Sequence, residues 1–112
     1  MTAEINIQNE IRRILPLNGH FVYRVNVGKV KTIDGRWFDT GLPPGFPDTF
    51  GWRKSDKQIF FIEVKNEKGK AREAQVRFHE FLKNAGMIHG IARNPKEALM
   101  IVEEGLIGYG FE

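Results

Sequence analysis

The chain contains no cysteine, which excludes disulfide staples and thiolate zinc sites and leaves carboxylates and histidines as candidate metal ligands. His20, His79 and His89 stand too far apart in sequence to predict a histidine cluster. Also missing is any apolar run near the ~18 residues of a membrane-spanning helix. The opening Met-Thr-Ala-Glu-Ile-Asn lacks the basic-then-apolar pattern of a secretory signal, so a soluble, intracellular (cytoplasmic) protein is expected. No repeat or low-complexity tract occurs. Strong charge of either sign is absent too. A net charge of +3 and a pI near 9.3 suit a polyanionic partner without proving one. What is present suffices for one domain spanning residues 1–112: 41% hydrophobic residues with nine Phe can fill a single core, and the length leaves no room for a second.

From the N-terminus, Thr2 as N-cap and the stripe Ile7, Ile11, Ile14 and Leu15 predict a helix over 3–14 that ends before Pro16. Glu10, three after Ile7 and four before Ile14, is expected on the inward face or its edge; a rim pair with Arg13 is the alternative. His20 to Val27 reads as a strand with Phe21, Tyr23, Val25 and Val27 on its buried face. Lys29, Lys31 and Arg36 then surround the Asp34-Gly35 turn beside Trp37 and Phe38. A basic loop carrying aromatics suits phosphate contact and base stacking, and equally a solvated hairpin tip. The stiff Gly41-Leu42-Pro43-Pro44-Gly45 stretch leads to Asp48.

Residues 49–53 and 57–64 read as a hairpin turning at Lys54-Ser55-Asp56. Paired numbers then sum to about 110 or 111, which sets Asp48 opposite Ile62 or Glu63. By strand alternation Glu63 and Lys65 share one face, and Ile62 and Val64 the other. Pro-Asp is a common turn and Glu-x-Lys a common exposed pair. However, Ile59-Phe60-Phe61-Ile62 is apolar at every position, as in a strand buried on both faces, and charges continuing such a strand are costly unless a cation or partner compensates.

Gly45-Phe46-Pro47-Asp48, the hairpin and Glu63-Val64-Lys65 together resemble the PD-(D/E)xK nuclease motif. With Gln75 ten residues past Lys65 on a helix, the pattern is similar to the VRR-NUC (virus-type replication-repair nuclease) domain in its small stand-alone phage or bacterial form. The resemblance runs from about Glu10 to Glu103. It implies a restriction-endonuclease-like mixed sheet flanked by helices, a Mg²⁺ site (Mn²⁺ substituting) at Asp48, Glu63 and the Val64 carbonyl, and a catalytic Lys65. It also implies contributions at longer range from a helix-one Glu, carried over to Glu10, and from Gln75. The expected activity is a metal-dependent, structure-selective DNA endonuclease acting as a homodimer on four-way (Holliday) junctions in DNA repair. The rivals are a non-catalytic nucleic-acid-binding module and a nuclease for flaps, single strands or RNA.

Downstream, Asn66 to Lys70 is a polar loop, and a helix is predicted over 71–84 with Ala71, Ala74, Phe78, Phe81, Leu82 and Ala85 inward and Gln75 at the core edge. Lys68, Lys70, Arg72 and Arg77 form the densest basic patch, a phosphate-binding surface or simply a solvated helix face. Residues 87–92 predict a short strand, and Asn94-Pro95-Lys96-Glu97 opens a helix over 95–104 that Gly105 stops. The apolar, glycine-broken tail 106–112 is expected to cover this subunit or another. Leu106, Ile107, Tyr109 and Phe111, with Trp37, Phe38 and Trp52, are candidate interface groups.

Overall fold

The alternation of Phe60, Ile62 and Val64 along one strand builds the centre of the protein. All three are buried on the face that receives Ile7, Ile11 and Leu15 from one helix and Ala98, Ile101 and Val102 from another. The computed structural model describes residues 2–112. In chain order the elements are α1 (Glu4–Leu17), β1 (Phe21–Arg24), β2 (Lys29–Lys31), β3 (Trp37–Asp39), β4 (Thr49–Trp52), β5 (Ile59–Val64), α2 (Glu73–Asn84), β6 (Ile88–Ala92), α3 (Pro95–Glu104) and β7 (Ile107–Tyr109). Five strands form a mixed sheet ordered β1-β4-β5-β6-β7, and β2 and β3 form a separate two-stranded ribbon. The pairs β1/β4 and β4/β5 are antiparallel, while β5/β6 and β6/β7 are parallel. Helices α1 and α3 pack together over one face, and α2 lies against β6 and β7. This is the α/β, helix-flanked mixed sheet expected from the sequence. Among the described residues no helix is long and apolar enough to cross a membrane.

Several boundaries follow local chemistry. Asn94 accepts the Glu97 N–H through its side chain at 2.9 Å, Pro95 occupies the first helical position, and Gly105 closes α3 at φ 66°. Arg93 N–H is taken by Glu97 Oε1 at 2.8 Å, so the two side chains cap the helix start from both directions. Helix α1 departs from expectation by running through Pro16 to Leu17. A proline so close to the C-terminus costs only one intrahelical hydrogen bond, and the chain leaves through Asn18 and Gly19 N–H groups bonded to Leu15 and Pro16 carbonyls.

Two other expectations are corrected, and one left open is decided. The strand at 20–27 shortens to β1, and its faces are reversed: Phe21 and Tyr23 are half exposed, whereas Val22 packs on the core. Helix α1 covers the even-numbered side, while Phe21 and Tyr23 stack with Trp52 and Phe50 on the part of the sheet that no helix covers. Ile59 is likewise exposed, so β5 is buried on both sides only toward its C-terminal end. The 106–112 tail covers its own chain: β7 extends the sheet, Leu106 and Tyr109 pack on the core, and Phe111 stacks on His79 at 4.1 Å.

Candidate active site

The β4/β5 ladder pairs Thr49 with Ile62 and Phe50 with Phe61, a register whose sum of 111 continues to Asp48 opposite Glu63. Two carboxylates are thereby brought to one face at the open end of the hairpin. Asp48 precedes β4, and its side chain replaces the missing ladder bond: Oδ2 accepts the Val64 N–H at 2.9 Å. Thr49, wholly buried, locks the same end by donating its hydroxyl to the Ile62 carbonyl at 3.0 Å. The Val64 carbonyl leaves the strand on the edge from which its N–H meets Asp48, so it too faces the pair.

Glu63 is only 3% exposed. Burial pushes its carboxyl up to about 10, reinforced by a hydrogen bond and like-charge repulsion from Asp48; Lys65 and Arg72 pull the other way without overcoming this. Lys65 is also buried, on the same face as Glu63, and its backbone N–H extends the parallel ladder to Ala92 O at 3.2 Å. A buried acid with a half-buried acid beside it and a buried cation two residues on is what the apolar run of β5 made improbable as ordinary surface.

Gln75 is buried in the first turn of α2 and shares a narrow crevice between that helix and the sheet with Glu63, Pro47, His79 and His89. Its Oε1 caps the helix by accepting the Arg72 N–H at 2.9 Å. The loop carrying Asp48 is pressed onto this turn at Gly45. There φ is +85° and a Cβ would lie 2.1 Å from the Ala74 carbonyl oxygen. Gly45→Ala is therefore expected to cost about 2–4 kcal/mol, from positive-φ strain plus a backbone clash, and to lower Tm by roughly 10 °C or more in a thermal melt. A variant melting with the wild type would show that the loop and helix do not touch in this way.

Beyond Lys65 the chain turns sharply, and Arg93 clamps the turn by donating from one guanidinium nitrogen to the carbonyls of Asn66 at 2.6 Å and Gly69 at 2.7 Å. Asn66 adds an Asx turn, accepting the Lys68 and Gly69 N–H groups. Against Gly69 lies Glu4: a Cβ there would be 3.1 Å from Glu4 Oε2 and 3.2 Å from Lys65 Cδ. The carboxylate that α1 aims at the Lys65 turn is therefore Glu4.

Glu10 points elsewhere. It is about half exposed and bonded to Arg13 at 3.0 Å, and that guanidinium holds its carboxyl below the usual range. The buried stripe of α1 is Ile7, Gln8, Ile11 and Leu15, so Glu10 lies on the flank turned to solvent, correcting the inward placement. The signal for Glu4 was in the spacing, since Glu4, Ile7, Ile11 and Leu15 follow one helical stripe. Arg93 carried no such signal, because only the fold brings it to the 66–69 turn.

The basic residues divide. Lys68, Lys70 and Arg72 are exposed around the turn and the start of α2, whereas Arg77, also exposed, is paired with Glu73 at 2.7 Å. Lys29, Lys31 and Arg36 sit on the β2–β3 ribbon, with Arg36 paired to Asp34 at 2.7 Å. Helix α2 spans 73–84 and turns Gln75, His79 and Leu82 inward, leaving Phe81 and Ala85 exposed, unlike the predicted face. The histidines are less scattered than the sequence implied: His79 Nδ1 and His89 Nε2 are 2.8 Å apart, with His89 Nδ1 2.7 Å from the Met87 carbonyl. His20 stands apart, bridging Glu103 and the Lys54 N–H.

Comparison with known proteins bears on this site. The VRR-NUC domain matches residues 3–94, which include Asp48, Glu63, Lys65 and Gln75. A solved structure of a VRR-NUC domain superposes with a TM-score of 0.65 at 22% identity, covering 95% of this chain and 100% of that one, which is a likeness of fold. A search of curated proteins finds no match.

Proposed function

Because the chain belongs to the VRR-NUC family, whose domain implies a nuclease, we propose that it is a Mg²⁺- or Mn²⁺-dependent endodeoxyribonuclease that hydrolyses phosphodiester bonds in branched DNA such as four-way junctions. The observation that carries this reading is the buried Glu63 carboxyl, paired with the half-buried Asp48 and with buried Lys65 beside it. A carboxyl held at about 10 beside a second carboxylate calls for a positive charge that the protein supplies only in part. The donors are all oxygen: Asp48, Glu63 and the Val64 carbonyl, with Glu4 at longer range. Among the described residues no three His, Cys, Asp or Glu side chains cluster as a metal cage. That set fits Mg²⁺ or Mn²⁺, hard ions that accept few protein ligands and keep several waters. When bound, such an ion supplies Lewis-acid polarisation of a phosphoryl oxygen and a more acidic water.

The chain's own residues do the rest. Asp48 is held by the Val64 N–H with its carboxylate beside that of Glu63. Lys65 donates to the attacking water or to a phosphoryl oxygen as negative charge grows in the pentavalent transition state. Gln75 caps the first turn of α2, against whose backbone Gly45 of the Asp48 loop is pressed. Lys68, Lys70 and Arg72 meet the phosphates flanking the scissile bond, and Arg77 joins them only by leaving Glu73. A pure binding module would not place two acids where phosphate must approach, which disfavours the non-catalytic reading.

We also propose a homodimer, since two symmetric copies would present two sites to a junction that has two-fold symmetry itself. With Leu106, Tyr109 and Phe111 engaged in their own chain, the uncovered aromatic face of β1 and β4 (Phe21, Tyr23 and Trp52) remains for the contact.

The test is incubation of the wild type with labelled duplex, nicked, flap and four-way-junction DNA, with and without Mg²⁺ or Mn²⁺, alongside light scattering across the micromolar range. Paired, symmetry-related cuts in the junction by a dimer are expected. A monomer that cuts flaps or single strands and leaves junctions whole would overturn the junction reading. Lys65→Ala is expected to lower turnover about 10²-fold or more while Mn²⁺ binding by calorimetry changes little. Loss of Mn²⁺ binding would move Lys65 from charge stabilisation to site structure.

A further inference from the structure

Between β1 and β4 the chain makes an excursion that the sheet does not use. Strands β2 and β3 pair only with each other, and every residue from Lys31 to Asp39 is exposed. Isolated two-stranded ribbons are marginal in water, yet this one is braced at its tip. Asp34 accepts from the Thr32 hydroxyl and from Arg36 Nε at 2.9 Å, and Gly35 N–H closes the turn on the Thr32 carbonyl at 3.0 Å. At its base Thr40 N–H bonds the Gly28 carbonyl at 2.9 Å. The ladder pairs Lys29 with Asp39, Val30 with Phe38 and Lys31 with Trp37. Strand alternation therefore puts Trp37, Lys29, Lys31 and Asp39 on one face, and Val30 and Phe38 on the other. Trp37 is 68% exposed and Phe38 56%.

We infer that this ribbon is a stacking finger for unpaired nucleotides, in which Trp37 takes the face of a base and Lys31 and Lys29 meet the adjoining phosphates. The inference rests on the nuclease reading and deepens it by naming what is sensed where strands part, a base unstacked or unpaired at the branch point of the DNA. An indole open on one side, with an ammonium directly across the ladder, combines the two elements that hold single strands: a sequence-tolerant π surface and cations spaced along the backbone. The charges complement an anionic ligand. Arg36 is neutralised by Asp34 and Lys29 faces Asp39, so Lys31 carries the largest share. A braced ribbon also holds its ring in place, reducing the entropy lost when a base stacks on it.

The experiment compares wild type, Trp37→Ala, Trp37→Phe and Lys29→Gln/Lys31→Gln in EDTA, where cleavage is off. The ligands are a blunt duplex and the same duplex bearing a single-stranded gap. The expected result is that Trp37→Ala lowers the preference for gapped over blunt DNA about 5- to 100-fold. Trp37→Phe should restore most of it, and the double lysine variant should reduce the salt slope by roughly 0.7 per charge removed. In Trp52→Phe protein, where Trp37 is the remaining tryptophan, its emission should be quenched by gapped but not blunt DNA. An unchanged preference in Trp37→Ala overturns the inference. So does conversion of a wild-type dimer into a monomer by Trp37→Ala, which would make the ribbon an interface between copies. If the wild type cleaves DNA while the Trp37 variants keep its preference, only the finger is lost. If the wild type neither binds nor cuts any DNA, the nuclease reading falls and the finger with it.

Discussion

Asp48→Asn is expected to lower single-turnover cleavage by about 10³-fold or more while leaving DNA affinity unchanged or raised. The amide oxygen of asparagine can still accept the Val64 N–H that Asp48 Oδ2 accepts now, so the hairpin end keeps its geometry. What is lost is one negative charge, the one that the proposed function assigns to holding a divalent cation and that would also repel phosphate. Cleavage and binding therefore move in opposite directions, a pattern that unfolding cannot mimic. Single-turnover assays on the preferred DNA with filter binding in EDTA measure both. Turnover within a few-fold of wild type would remove Asp48 from the site.

Glu63→Gln is expected to stabilise the metal-free protein at the same time as it abolishes cleavage. In the fold the Glu63 carboxyl is pushed up to about 10 by burial and by Asp48, against 4.5 when exposed. At pH 8 the folded protein holds a proton that the unfolded chain releases, so stability falls as pH rises from about 5 toward 10. Below the ordinary carboxylate range both states are protonated and the contribution is complete. Glutamine has no such term. The variant should be more stable at pH 8 by on the order of 2–4 kcal/mol, with the difference shrinking toward pH 5. His79 and His89, whose burial holds them below the usual imidazole range, weaken both proteins as pH drops through about 6.5 and cancel in the comparison. Urea melts in EDTA from pH 5 to 9 test this. Parallel curves would mean that Glu63 is not strained. Adding Mg²⁺ should stabilise the wild type at pH 8 with release of protons and do little for the variant.

Local chemistry accounts for much that was legible before the fold was known. The β4/β5 hairpin follows from two apolar runs and the turn between them, to within one residue of register, and the register adopted brings Asp48 opposite Glu63. Asn94, Pro95 and Gly105 bound α3 at residues 95–104 because caps and positive φ act within one helical turn. What the sequence could not decide was which side of an element is covered. The carboxylate of α1 near the Lys65 turn is Glu4, since the rotation of α1 is set by its seat on β5 and α3. Phe21 and Tyr23 are uncovered because no helix lies over the β1–β4 end of that face, a matter of helix number and placement.

The same holds for α2, whose inward residues are Gln75, His79 and Leu82. His89 from β6 and Phe111 from the tail give His79 a hydrogen bond and a stacking partner, so a polar ring is buried where Phe81 was expected. Periodicity and turn residues determined the three helices, the β4/β5 hairpin to within one residue of register, and so the approach of Asp48 to Glu63. The tertiary structure alone decided the covered faces, the seating of Glu4 against the Lys65 turn and the Arg93 clamp, because burial is a property of two surfaces and one sequence segment contains only one of them.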